Sequence, residues 1–165
     1  MRQARPMFVA ALAILGFAIA ADSKAPIQWN LEVYKVTTRV VNNQTVEDFT
    51  KTSNFRPGET AEYRLTGTNE GDKPLEEVSM DLPIQSNTAY LDRSAVWDEK
   101  VATLTATAPG VAGFARPPLQ REVTKDGKKV IETVPANEYT RLRWTLTGAM
   151  APKQVVTLKA RVRVR

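Results

Sequence analysis

Apolar and polar residues alternate along most of this chain. In RPGETAEYRLTGTNEGDKP, Arg56 to Pro74, a Pro-Gly pair leads into Ala61, Tyr63, Leu65 and Gly67, interleaved with Glu62, Arg64, Thr66 and Thr68. A second turn of Asn, Gly, Asp and Pro follows. That period of two is the mark of a half-buried strand. It recurs at Val78, Met80 and Leu82, at Leu142, Trp144 and Leu146, and at Val156, Leu158, Ala160, Val162 and Val164. After residue 20 no comparable 3.6-residue stripe competes with it, so the chain reads as all β.

Turn residues break these runs where the chain must reverse. They are Pro57-Gly58, Asn69 to Pro74, Pro109-Gly110, Asp126-Gly127 and Ala151-Pro152. Asp-Gly suits the positive φ angles of a tight hairpin, which predicts an extra hairpin over 119–134. Near the start, Ile27, Trp29, Leu31 and Val33 are odd-numbered, whereas Tyr34, Val36 and Val40 are even. A bulge or a change of sheet near Val33 is expected there. The stretch 106–118 reads as a long loop. Eight or nine strands in two antiparallel sheets packed face to face account for the pattern.

The first twenty residues obey other rules. Arg2 and Arg5 precede an apolar run from Met7 to Ala20 that ends in Ala18-Ile19-Ala20, just before Asp22 and Ser23. This is the layout of a secretory signal peptide over 1–20, and the run is short of the ~20 residues that span a bilayer. The mature chain, 21–165, is expected to be one exported domain without a transmembrane segment. It would hold 21 basic and 18 acidic residues, a net +3, which suits solubility better than nucleic-acid binding. With no cysteine the fold must rest on its core, and a chain of about 145 residues buries enough surface for that.

PGETAEYRLTGTNEGDKPLEEVSMDLPI resembles the signature of the bacterial cell-surface conserved-repeat domain, an immunoglobulin-like family catalogued as a domain of unknown function. The shared features are Pro57-Gly58, Tyr63, Asn69-Glu70-Gly71, the strand Val78 to Leu82, and Leu82-Pro83. RLRWTLTGAMAPKQVVTLKARVRV is similar to the family's closing strand, Ala-Pro turn and final strand. The departures are a single copy, Lys153 where a glycine commonly follows the proline, and the extra hairpin. The resemblance implies a secreted, surface-associated immunoglobulin-like β-sandwich with no activity attached.

Candidate chemistry is thin. The chain lacks both His and Cys, the usual bases, thiol nucleophiles and transition-metal ligands. No enzyme activity, metal or organic cofactor is expected. The paired carboxylates Glu76-Glu77 and Asp98-Glu99 read as solvated turns, because neighbours in a strand point to opposite faces. Trp29, Trp144 and Tyr63 fall in apolar phase as core residues. Trp97 and Tyr90 are open between core and exposed contact. In the terminal LKARVRVR, Lys159, Arg161, Arg163 and Arg165 share one face of a strand. That strand is either a charge-guarded sheet edge or a cationic ladder for an acidic protein or anionic envelope polymer, and its arginines should matter little for folding. The expected role is a non-catalytic structural or interaction subunit of the cell envelope, in a surface layer or outer-membrane complex. The alternative is an exported polysaccharide- or small-ligand-binding module using Trp97 and Tyr90.

Overall fold

The computed structural model describes residues 27–98 and 100–165. The expected signal peptide therefore lies outside the described residues. The strands are β1 (Ile27–Val41), β2 (Gln44–Lys51), β3 (Thr60–Asn69), β4 (Ser79–Pro83), β5 (Thr88–Tyr90), β6 (Ala102–Thr107), β7 (Gln120–Lys125), β8 (Lys128–Thr133), β9 (Arg141–Leu146) and β10 (Val155–Val164). All pairings are antiparallel, so the all-β expectation holds, with ten strands where eight or nine were expected. A three-residue 3-10 turn, Ala136–Glu138, precedes β9. Among the described residues no helix is long and apolar enough to cross a membrane.

The larger sheet has the order β2-β1-β3-β10-β5 and the second β4-β9-β6, while β7 and β8 pair only with each other. The first two face one another across the core in a sandwich. Its inner layer follows the predicted phase: Ala61, Tyr63 and Leu65 from β3, Met80 and Leu82 from β4, Leu142 and Trp144 from β9, and Val156, Leu158, Ala160, Val162 and Val164 from β10 are all buried. Trp29 is only half-buried. It lies over Gly67, its cross-strand partner, where a Cβ would sit 2.1 Å from the indole ring. With five strands facing three, the inner face of β1 overhangs, leaving a cleft of about 610 Å³ between Trp29 and Leu31 on one side and Met80 and Leu82 on the other.

No bulge occurs near Val33. The register of β1 against β3 runs unbroken from Ile27 to Val36, and against β2 from Tyr34 to Val41. The change of phase arises because both faces of β1 pack, the odd side on the core and the even side on a separate outer cluster. β1 returns into β2 through Asn42-Asn43, at φ 50° and 61°. Asparagine tolerates this left-handed region, and two such residues make a tight hairpin. Asp126-Gly127 turns β7 into β8 in the same way, at φ 52° and 74°.

Asn69, fully buried at the end of β3, ties two turns together. Its amide donates to the carbonyls of Lys73 (2.9 Å), Met150 (2.9 Å) and Ala151 (3.1 Å), and its side-chain oxygen accepts from the Gly71 N–H (3.0 Å). The turn from Asn69 to Pro74 is thereby locked to the one before β10.

Candidate functional site

Three surfaces could carry function: the outer face of the larger sheet, a cavity beside β5, and the β7–β8 arm. On the outer face, alternation along β10 sends Lys159, Arg161 and Arg163 away from the core. β10 is not an edge strand, however. It pairs with β3 along Val155 to Arg163 and with β5 along Val162 to Val164, and Val96 bridges to Lys159. The guarded-edge expectation is corrected by this strand order, which depends on contacts distant in sequence.

The ladder is also not a row of free cations. Arg161 donates to both carboxylate oxygens of Glu47 (2.6 Å each) and, through Nε, to buried Glu62 (2.8 Å). Glu62 accepts from Arg64 (2.6 Å), whose guanidinium stacks on Tyr34 and Phe49 at 4.2 and 4.5 Å from the ring centres. β1 and β3 separate β10 from β2, so the Arg161–Glu47 contact requires the sheet to curl toward this side. Arg165 donates to the Asn137 carbonyl (2.8 Å), whereas Arg163 is exposed and Lys159 half-buried. Sequence reasoning missed Glu47, Glu62 and Phe49. The signal available was the even phase of Tyr34 and Val36 beside the Glu62/Arg64 alternation.

These contacts predict that Arg161 bears on folding, where strand alternation alone predicts little effect. Its hydrogen bond holds the Glu47 carboxyl below its ordinary range. We expect Arg161→Gln to cost about 1–2 kcal/mol at pH 7, discounted for the partly exposed Glu47. A carboxylate with a depressed folded-state pKa adds stability above its unfolded pKa and loses it as pH falls through the folded value. The gap between variant and wild type should therefore narrow below about pH 4. Urea unfolding at pH 7 and pH 3 checks this, and an equal gap at both would remove Glu47 from the account.

Tyr90 and Trp97 do come together. Both line a cavity of about 480 Å³ with Arg93, Arg116 and Leu104. Tyr90 is only 4% exposed, stacks on Tyr139 at 5.8 Å and accepts a hydrogen bond from the Ala95 N–H (3.2 Å). Burial pushes its hydroxyl pKa up. Tyr90, open between core and contact from sequence, is thus a core residue with one edge in the cavity. Trp97 is half-buried and donates its indole N–H to the Ala102 carbonyl (3.0 Å), leaving its ring to line the cavity.

The arm grows from a firm base. Leu119 and Val134 are buried and joined by the Val134 N–H to Leu119 carbonyl bond (2.9 Å), and the Tyr139 hydroxyl accepts from the Leu119 N–H (3.1 Å). Arg121 braces the first turn of the ribbon through Glu132 (2.8 Å) and Glu138 (2.6 Å). Beyond that the two strands have only each other, and Ile131 is 64% exposed. Lys125, Lys128 and Lys129 surround the tip.

Glu76 and Glu77 lie exposed on a turn with Glu77 at φ 54°, and Glu99 lies outside the described residues. No cluster of three or more His, Cys, Asp or Glu suited to a metal ion occurs among the described residues. No protein family, curated protein or solved structure matches the chain.

Proposed function

We propose that this protein is a secreted, non-catalytic contact subunit of a bacterial cell envelope, part of a surface-layer or outer-membrane assembly. The arm is the observation that carries this reading. A two-stranded ribbon alone is marginal in water, yet this one is held out on a buried, ion-paired base and presents Ile131 to solvent. A partner that covered one face would bury apolar surface and complete the ribbon.

Secretion rests on the Met7 to Ala20 segment. Likeness to the conserved-repeat family rests on the Pro57 to Pro83 pattern. Lys153 also supports it, because it adopts φ 61°, the conformation a glycine would favour at that position. The immunoglobulin-like reading is supported by two antiparallel sheets in the orders β2-β1-β3-β10-β5 and β4-β9-β6, while the chain visits β6, β9 and β10 in an order that departs from that fold.

Gentle-detergent pull-down from envelope membranes tests the proposal. The wild type should recover a stable protein complex, and Ile131→Asp should weaken recovery about tenfold while changing stability by less than about 0.5 kcal/mol. The cavity shared by Tyr90 and Trp97 favours a second reading, a glycan- or small-ligand-binding module. Retention only on glycan, abolished by Trp97→Ala, would replace the first reading with the second.

A further inference from the structure

The outer edge of the larger sheet is the longest open edge in the described fold. The Thr52 N–H bonds to the Val33 carbonyl (3.2 Å), and the register is constant from there to the Asn42-Asn43 turn. Alternate residues of an antiparallel ladder bond to the same neighbour. The even residues of β2 therefore bond to β1, whereas Thr45, Glu47, Phe49 and Lys51 point their N–H and C=O groups outward. That row is about 20 Å long. It contains no proline, and its register has no bulge.

The other edges of the two packed sheets are blunted in ways proteins commonly use, and the open edges of the arm are shorter, six residues each. β5 is three residues long, β4 ends in Pro83, which has no N–H, and β6 is covered at one end by the Ala106–Ala115 bridge. β2 instead carries Phe49, 39% exposed, among its outward-bonding residues.

We infer that β2 is a self-association edge, on which a second copy of this chain pairs antiparallel about a two-fold axis at Phe49. In that register Phe49 lies opposite Phe49 of the second copy, and Glu47 lies opposite Lys51 on both sides of the axis. The pairs at 47, 49 and 51 would exchange about six backbone hydrogen bonds. Cross-strand aromatic and opposite-charge pairs both stabilise such a ladder, whereas like charges directly opposite destabilise it. An axis at Glu47 or at Asp48 would set two carboxylates face to face. The charges also join beyond the edge: Lys51 is paired with Glu32 (2.5 Å) and Glu47 with Arg161 (2.6 Å), so pairing links the two outer faces into one alternating network. Two five-stranded sheets would become one of ten strands. This association uses a surface separate from the arm and does not depend on the envelope partner.

Sedimentation of the full mature chain over a wide concentration range tests the inference. A dimer that dissociates on dilution and on adding salt is expected. Phe49→Pro removes an outward N–H and no β1–β2 bond, so it should be monomeric with an unchanged far-ultraviolet circular dichroism spectrum. The chain has no cysteine, which makes a single introduced thiol a clean reporter of register. A bonded antiparallel pair has Cα atoms about 5.5 Å apart, within disulfide range. Phe49→Cys should give a covalent dimer on mild oxidation, and Val155→Cys, at another exposed site, should not. A wild type that stays monomeric throughout overturns the inference. So does a dimer that persists in folded Phe49→Pro, or cross-linking of Val155→Cys as readily as of Phe49→Cys. If Phe49→Pro does not fold, wild-type sedimentation and the two thiol variants decide. A monomer that still captures its partner through the arm would sink the self-pairing alone.

Discussion

Trp144→Ala is expected to cost ~3–5 kcal/mol, a large share of the 5–15 kcal/mol that holds a typical domain together. Trp144 is 1% exposed, at the centre of the middle strand of the smaller sheet, flanked by Met80 on β4 and Leu104 on β6. The three-stranded sheet has little redundancy, so a void there is poorly filled by its neighbours. The indole N–H is buried without a hydrogen-bond partner. An orphaned buried donor costs about 1–3 kcal/mol. Trp144→Phe gives up part of the packing but also removes that donor, so it should cost less than half as much as the alanine variant. Urea unfolding with an unchanged m-value measures both. A loss below ~1 kcal/mol for alanine would show that this ring does not hold the sheets together.

Trp144 was legible because its strand keeps one phase, and the same holds for Tyr63 and for Val156 to Val164. β1 was harder. Its odd face meets the core and its even face meets Arg64, Phe49 and their neighbours, so two apolar phases overlapped and resembled a bulge. The Asn42-Asn43 turn is hidden for a different reason: it carries no glycine or proline. The charged residues of β10 were placed on the correct side of their strand, but their partners were beyond reach: Glu62 and Glu47 lie 99 and 114 positions from Arg161. Local alternation fixes which way a side chain points. What waits there, and whether a strand is interior or edge, is decided by strand order. Tyr90 and Trp97 illustrate the division, since their common cavity depends on β5 and β6 lying at the same side of the sandwich.

Asn69 shows the opposite case, a turn motif whose weight the sequence understated. As one member of an Asn-x-Gly turn it looks local, yet its amide serves carbonyls 81 and 82 positions away as well as the one at Lys73. Asn69→Ala removes the donors to all three and should cost ~2–4 kcal/mol, more than loss of a surface turn bond and close to the loss of a core side chain. Asn69→Asp is the sharper experiment. It keeps an acceptor for the Gly71 N–H but, when ionised, turns a negative oxygen toward carbonyl oxygens in a buried site, which raises the carboxyl pKa above its unfolded value near ~3.9. A group with a raised folded-state pKa contributes most below its unfolded pKa and loses that contribution as pH rises through the folded one. The deficit of Asn69→Asp relative to wild type should therefore be smallest below about pH 4, where the acid form can donate one bond, and should grow toward pH 7 by ~1.4 kcal/mol for each unit of pKa elevation. Chemical unfolding of both proteins across that range checks the slope. A deficit independent of pH would mean that water or a rearranged turn, and not the Asn69 amide, satisfies the carbonyls of Met150 and Ala151.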